Sequence, residues 1–447
     1  MSGGCMTMTM SRGRSVRARD AVVARSSVLL RGWRSPQHRD GLALILSSGI
    51  TSGLGLMFWL LAARLYDTAT VGLNSTLLSA MTLLGTVAQL NLGNALLRFI
   101  PVAGHRTRTL VALCYIVAIA AAAAAGGLFA LGASWWAPEL AAAFGSRELL
   151  AFFVVSTPIW TMFVMQDYVL PAIKRSTVVP LENLLFSVLK LLFLAGAAGL
   201  GIWSGIAASW LAATVVTVLA VTVWLVRVLP RPDEAGPATP TTSTPAVTVR
   251  DVAAFVRADY AGVVFLLAAV FGLPLVVLAR LGAEAAAVYS VVWQIAYAFY
   301  LVVNGMGQSL VAHSAAEPEK LETARRAMVG KAMLLLMPTV LLCAVLAHPL
   351  LSLFGTRYAD EGSLLLALLA LSAIPNVVNW SIVWAARVRR DGRVLFGLPA
   401  AITVAVIGGS WLLMPAMGIL GTGVAWLAAQ SAAAAGVLLV SARRAHA

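Results

Sequence analysis

Charge is what this sequence has least of. Only 11% of its 447 residues are Asp, Glu, Lys or Arg, where a soluble domain carries roughly 25%. Cysteine is close to absent: Cys5, Cys114 and Cys343 stand alone, which excludes a disulfide framework and any thiolate metal spacing. The histidines, His38, His105, His313, His348 and His446, are scattered and offer no metal cluster. Strict period-2 alternation is missing, which argues against a transmembrane β-barrel. No Gly-x-x-x-x-Gly-Lys-Ser/Thr phosphate loop occurs, since "VGKAM" at 329–333 lacks its glycines, so the chain is not expected to hydrolyse ATP. Gly-x-Ser-x-Gly and His-Glu-x-x-His are missing too. Neither an enzymatic activity nor a cofactor is expected.

What is present is apolar surface. Sixty percent of the residues are hydrophobic and the mean hydropathy is +0.89. Apolar runs fall near 42–63, 71–96, 109–133, 149–171, 179–200, 203–226, 259–280, 285–310, 332–354, 362–386, 394–414 and 418–440. Each is long enough to cross a bilayer as a helix, and backbone in lipid must satisfy its own hydrogen bonds. The fold class expected is an all-α polytopic membrane protein of about 12 transmembrane helices.

The net charge of +14 orients this protein and gives no reason to expect nucleic acid as a partner. With the N-terminus inside, 27 of 32 Lys and Arg fall on the cytoplasmic side, the positive-inside pattern. Arg64, Arg147, Arg280 and Arg357 fall outside, and Lys190 falls within a span. The basic segment 1–40 holds eight arginines and no apolar core fit for a signal peptide. It is expected to be a disordered cytoplasmic arm. The tail 441–447 is expected on the same side.

The chain repeats itself at an offset of about 210–217. "LAARL" at 61–65 corresponds to "VLARL" at 277–281, "LGNAL" at 92–96 to "MGQSL" at 306–310, and "FGSR" at 144–147 to "FGTR" at 354–357. Pro158 corresponds to Pro375, and "GIWSGIAASWLA" at 201–212 to "GILGTGVAWLA" at 418–428. The expected halves are 41–226 and 258–440, joined by a Pro/Thr-rich cytoplasmic linker, 227–257. The stretch 249–260, leading into the seventh span, suits a short interfacial helix. Six spans per half preserve orientation, so the two repeats are parallel, around a central cavity. This is a transporter plan, with the substrate path between the halves.

Several polar residues sit where lipid-facing segments should be apolar. Lys190 lies deep in "LLFSVLKLLFLAG", 184–196, where a charge is costly and marks a functional position. It could meet an anionic substrate or a coupling ion, or pair with Asp167 or Glu182. Arg64 and Arg280 occupy equivalent outer ends, suited to an outer gate, to lipid phosphate, or to pairing with Asp67 and Glu284. Trp293, Tyr297, Tyr300 and Asn304 recur at helical spacing on one face, suited to sugar stacking or to packing. Gln89 and Gln294 are weaker candidates of that kind. The stretch "LNLGNALLRFIP", 90–101, brings Asn91, Gly93, Asn94 and Arg98 to the inner end of the second span. Its repeat partner brings Gly307 and Gln308 to the same depth. Glycines there permit close helix approach, and the expectation is a packing or gating element at the inner mouth, with Asn94 and Gln308 bonding across it. Pro158, Pro274 and Pro375 interrupt spans and suit hinges or static kinks.

The pattern "ARLYDTATVGLNSTLLSAMTLLGTVAQLNLGNALLRFIP", 63–101, resembles the opening of bacterial polysaccharide flippases. "LFGTRYADEGSLLLALLALSAIPNVV", 353–378, and "AARVRRDGR", 385–393, resemble later segments of that family. Gly93, Ala95, Leu96, Arg98 and Pro101 fit its pattern, whereas Asn91 replaces a glycine. The resemblance implies the oligosaccharide flippase branch of the multidrug/oligosaccharidyl-lipid/polysaccharide exporter superfamily. It implies a polyprenyl-diphosphate-linked oligosaccharide moved from inner to outer leaflet of a bacterial cytoplasmic membrane by alternating access. Membrane lipid, glycosyltransferases and a polymerase would be the partners. Two other readings stay open: a cation-coupled small-molecule antiporter of the same superfamily, and a scaffold of a polysaccharide-synthesis complex. A major-facilitator carrier would need a signature loop that "RFIPVAGHRTRT", 98–109, lacks.

Overall fold

A computed structural model describes residues 36–229, 249–314, 318–389 and 391–446. Most of the expected basic arm and the core of the linker, 230–248, lie outside the described residues. Those described are helical throughout, with no strand among them. The twelve spans are Pro36–Leu65, Thr68–Ala88, Thr107–Leu131, Ser146–Ala172, Val178–Gly199, Gly205–Val228, the two arms of Val249–Ser314, Leu321–Val345, the pair Thr356–Leu371 and Ala373–Arg389, Gly392–Met417 and Leu420–His446. The seventh and eighth spans are joined at Gly282, whose φ of 85° interrupts an otherwise continuous helix. Only glycine adopts that conformation without steric cost. Residues 249–260, expected as a separate interfacial helix, continue directly into the seventh span.

The second span ends sooner than its apolar run suggests. Leu90 and Asn91 take left-handed φ values of 52° and 58°, and a new helix, Leu92–Ala103, begins at once. Asparagine tolerates that conformation, whereas leucine pays for it. Gln89 bridges the break: its Oε1 accepts from the Gly93 amide at 3.1 Å, covering one of the donors a new helix leaves open. The tenth span is interrupted at Ser372, just before Pro375. Pro375 has no N–H to give to the carbonyl four residues earlier. Its repeat partner Pro158 lies inside a fourth span assigned without a break.

From Leu54 onward the described chain forms one compact unit. Its centre is the second span, 61% of whose apolar window is buried, against 28% for the third and 22% for the ninth and eleventh. The second span packs along the seventh and eighth. There Gly72 is indispensable: a Cβ would lie 1.7 Å from the Ala283 carbonyl oxygen and 3.1 Å from the Ala287 nitrogen. Three residues on, the Ser75 hydroxyl donates to the Ser290 hydroxyl at 3.0 Å. The two serines are 215 residues apart, within the offset of the sequence repeat. The contact joins the two halves expected from the sequence.

Candidate functional site

With the spans in order, Arg64, Arg147, Arg280 and Arg357 fall at one face of the membrane domain; the other, here called the basic face, carries most of the other described Lys and Arg. At the arginine-poor face the two halves are tied together. Arg64 at the end of the first span donates through Nε to the Leu353 carbonyl at 2.8 Å and through a guanidinium nitrogen to the Ser352 carbonyl at 3.3 Å. Arg280, its equivalent, lies 3.6 Å over the Trp411 ring within its own half. Neither pairs with the nearby acid: Asp67 caps the second span through the Thr70 amide, and Glu284 pairs with Arg357 at 2.6 Å. Sequence equivalence here does not give equivalent contacts.

Toward the basic face the contact between the halves loosens. The eighth span is buried on every side from Ala286 to Trp293, then exposes a stripe of Gln294, Ala298, Leu301, Asn304 and Gln308. These recur at three- and four-residue spacing, one helical face. The stripe runs toward the basic face, where the halves still meet: the Tyr260 hydroxyl donates to the Val87 carbonyl at 2.5 Å. Of the expected aromatic face, only Asn304 joins this stripe. Trp293, Tyr297 and Tyr300 turn into the C half, with Trp293 4.5 Å from Trp426 and the Tyr300 hydroxyl 2.5 Å from Ser372 Oγ.

The two glycines expected at the inner mouth are both close-approach points, each inside its own half. A Cβ on Gly93 would lie 2.5 Å from the Tyr168 ring of the fourth span, and one on Gly307 would lie 2.0 Å from Trp384 of the tenth. Asn94 does not reach across the mouth to Gln308; its Nδ2 donates to Asn91 Oδ1 at 2.6 Å, and Gln308 is exposed.

Lys190 lies on the buried stripe of the fifth span with Glu182, Phe186 and Leu194. At 1.5 Å per residue it is about 18 Å from the helix start, near the membrane midplane. Its Nζ lies 4.5 Å from the Trp210 ring centroid, 4.9 Å from Phe186 and 5.2 Å from Phe58. These rings come from the sixth, fifth and first spans. The lysine is 5% exposed, and no carboxylate among the described residues pairs with it; the expected partners Asp167 and Glu182 lie closer to the basic face. Cation–π contacts contribute up to about 2 kcal/mol when desolvated, whereas burying an unpaired ion costs several kcal/mol. The rings orient the ammonium without compensating it. An anion entering here would.

Two acids that the sequence offered only as partners for Lys190 form a group of their own. Glu182 is 2% exposed, and neither carboxylate oxygen has a hydrogen-bond partner. Asp167 and Tyr115 lie near it, with Asp167 Oδ1 and the Tyr115 hydroxyl unpartnered as well, while Asn183 Nδ2 donates to the Val179 carbonyl at 3.1 Å. Composition and spacing gave no sign of this, because the residues come from three different spans. No group of three or more His, Cys, Asp or Glu placed to hold a metal ion occurs among the described residues.

No family model matches the sequence, and none of the curated proteins does. Solved structures do. A multidrug resistance MATE family transporter of the MOP superfamily, in its inward-facing conformation, superposes with a TM-score of 0.68 at 17% identity, over 88% of this chain and 94% of that one. An outward-facing conformation of such a transporter gives 0.55 at 17% identity, over 90% and 94%. A MOP superfamily transporter from Pyrococcus furiosus, described by the reverse polarity of its binding pocket, gives 0.60 at 17% identity, over 89% and 94%. At these identities the likeness shows the fold alone: this multi-pass membrane chain has the twelve-helix fold of MATE transporters of the MOP superfamily.

Proposed function

We propose that the chain moves an amphiphilic, anionic solute across a bacterial cytoplasmic membrane by alternating access, and that the solute is a polyprenyl-diphosphate-linked oligosaccharide. The observation that carries this reading is Lys190, an uncompensated cation at mid-membrane depth held by Trp210, Phe186 and Phe58. A diphosphate with sugars has a large desolvation cost in hydrocarbon, and a buried ammonium offsets part of it. The basic face is cytoplasmic in this reading, with both termini there, and the closed mouth faces outward. The solute's polar head then enters along the exposed stripe of the eighth span from the inner leaflet while its tail stays in lipid. Transport, with no chemistry on the solute, is the whole activity.

A second reading has its own support. The structural likenesses are to multidrug MATE transporters, and they fit a cation-coupled small-molecule antiporter at least as well. Glu182, with both oxygens unpartnered, and Asp167, with Oδ1 unpartnered, suit coupling to a cation. Reconstituted protein discriminates the two. Flipping of a labelled polyprenyl-diphosphate oligosaccharide in liposomes, lost in Lys190→Gln, supports the first reading. Extrusion of a fluorescent organic cation that survives Lys190→Gln, with no lipid flipping by the wild type, overturns it in favour of the second.

A further inference from the structure

We propose that Arg280 and Trp411 form a binding site for a lipid-borne phosphate, at the face of the membrane domain opposite the basic one. Arginine is scarce at that face, and two of the four there are engaged. Arg64 holds the Ser352 and Leu353 carbonyls, and Arg357 holds Glu284 at 2.6 Å and Glu361 at 2.9 Å. Arg280 holds neither a carbonyl nor a carboxylate among the described residues. Its contact is the Trp411 ring, 3.6 Å from the guanidinium carbon. That is van der Waals separation, which a guanidinium reaches only by lying flat on the ring. The stack fixes the plane of the cation. It leaves the five N–H donors, which lie in that plane, without acceptors. Both residues are exposed, so an oxygen ligand can reach them.

The site opens toward lipid. Trp411 is 45% exposed and Leu412 beside it 76%. Val404, seven residues earlier and so on the Trp411 face of the eleventh span, is 65% exposed. Acyl chains would lie along that face. Trp411 stands six residues, about 9 Å, from the helix end at Met417, the depth at which tryptophan meets the headgroup layer. Deeper in the membrane the seventh and eleventh spans are in close contact. A Cβ on Gly262 would lie 2.1 Å from the Leu395 carbonyl oxygen, and the Thr403 hydroxyl donates to the Phe265 carbonyl at 2.8 Å. The phosphate therefore sits at the outer end of a fixed seam within the C half. A planar fork of donors matches two oxygens of one phosphate group, and such charge-assisted pairs are the stronger class of hydrogen bond. Two sources carry this chemistry, a bilayer phospholipid and a polyprenyl diphosphate. Gly282, two residues on, joins the seventh and eighth spans at a φ of 85°, so a bound phosphate ties that joint to the headgroup layer. The inference rests on the membrane fold and on neither choice of solute.

The test uses full-length protein labelled with 5-fluorotryptophan, in a maltoside detergent that carries no phosphate. Trp411→Phe identifies the Trp411 fluorine resonance among the thirteen tryptophans. Titration with dihexanoylphosphatidylglycerol is expected to shift that resonance saturably. Arg280→Gln abolishes the shift, and the other tryptophan resonances, unmoved, show that this variant is folded. Arg280→Lys keeps the charge without the fork and weakens binding at least several-fold. Dihexanoylglycerol, with the same chains and no phosphate, leaves the resonance in place, as does inorganic phosphate at the same concentration. Farnesyl diphosphate distinguishes the sources. Saturation below the phosphatidylglycerol concentration assigns the site to polyprenyl diphosphates, and the reverse order assigns it to bilayer phospholipid; either order supports the site. No shift with either phosphate lipid, an equal shift with dihexanoylglycerol or inorganic phosphate, or a shift that persists in Arg280→Gln overturns the proposal.

Discussion

Ser75 and Ser290 place their hydroxyls 3.0 Å apart, one on each side of the boundary between the halves. Both are buried, at 1% and 4% exposure. The pair is a buried contact between the two expected halves. Cysteines at both positions, in a background without Cys5, Cys114 and Cys343, are expected to cross-link under mild oxidation. The cross-linked protein should be inactive in transport and recover on reduction. Efficient cross-linking with full activity would mean that this contact does not open in the cycle.

Gly72 makes a stronger statement about the same closure. A side chain there collides with backbone, the Ala283 carbonyl at 1.7 Å, and no rotamer change relieves it. Gly72→Val is therefore expected to push the second and eighth spans apart and favour the outward-open state. Labelling of a cysteine at Ser75 by a membrane-impermeant maleimide added outside should rise several-fold. Unchanged labelling in a folded Gly72→Val protein would count against closure at this point.

The all-helical, twelve-helix fold was legible in the sequence, because it depends on hydropathy along each segment. Partnership was not. Arg64 and Arg280 are equivalent in the repeat, yet one binds Leu353 and Ser352 across the halves and the other stacks on Trp411. Helical spacing put Trp293, Tyr297, Tyr300 and Asn304 on one face, and only packing against Trp426 shows that the aromatics turn inward. Likewise the facing of Glu182, Asp167 and Tyr115 depends on how three spans rotate about their axes. Hydropathy fixes which segments are helical but is silent on that rotation.

Gly93 and Gly307 can be tested as pair-equivalent packing points. Alanine at either position overlaps an aromatic ring of the same half, Tyr168 or Trp384. Overpacking of this kind costs about 1–3 kcal/mol. The contacts lie in different halves, but Arg387, 4.5 Å over the Trp384 ring, also acts on Tyr168; if that link is weak, the double variant should lose stability as the sum of the singles, within about 0.5 kcal/mol. Thermal unfolding in detergent measures this. Strong non-additivity would place the two glycines in one coupled element at the inner mouth, as the sequence suggested.

Asp67 supplies a pH-dependent component outside the spans. Its carboxylate accepts from the Thr70 amide at 2.9 Å and from the Thr70 hydroxyl at 2.6 Å, and the hydroxyl bond above all holds its pKa below the ordinary carboxylate value. A depressed folded-state pKa contributes stability that is present above the unfolded pKa and is lost as pH falls through the folded one. Asp67→Ala removes the N-cap of the second span and should cost roughly 1 kcal/mol at neutral pH. Asp67→Asn keeps an acceptor but cannot ionise, so its deficit against the wild type should be present at neutral pH and vanish on acidification. A deficit that stays constant with pH would show that the cap acts through geometry and not through charge.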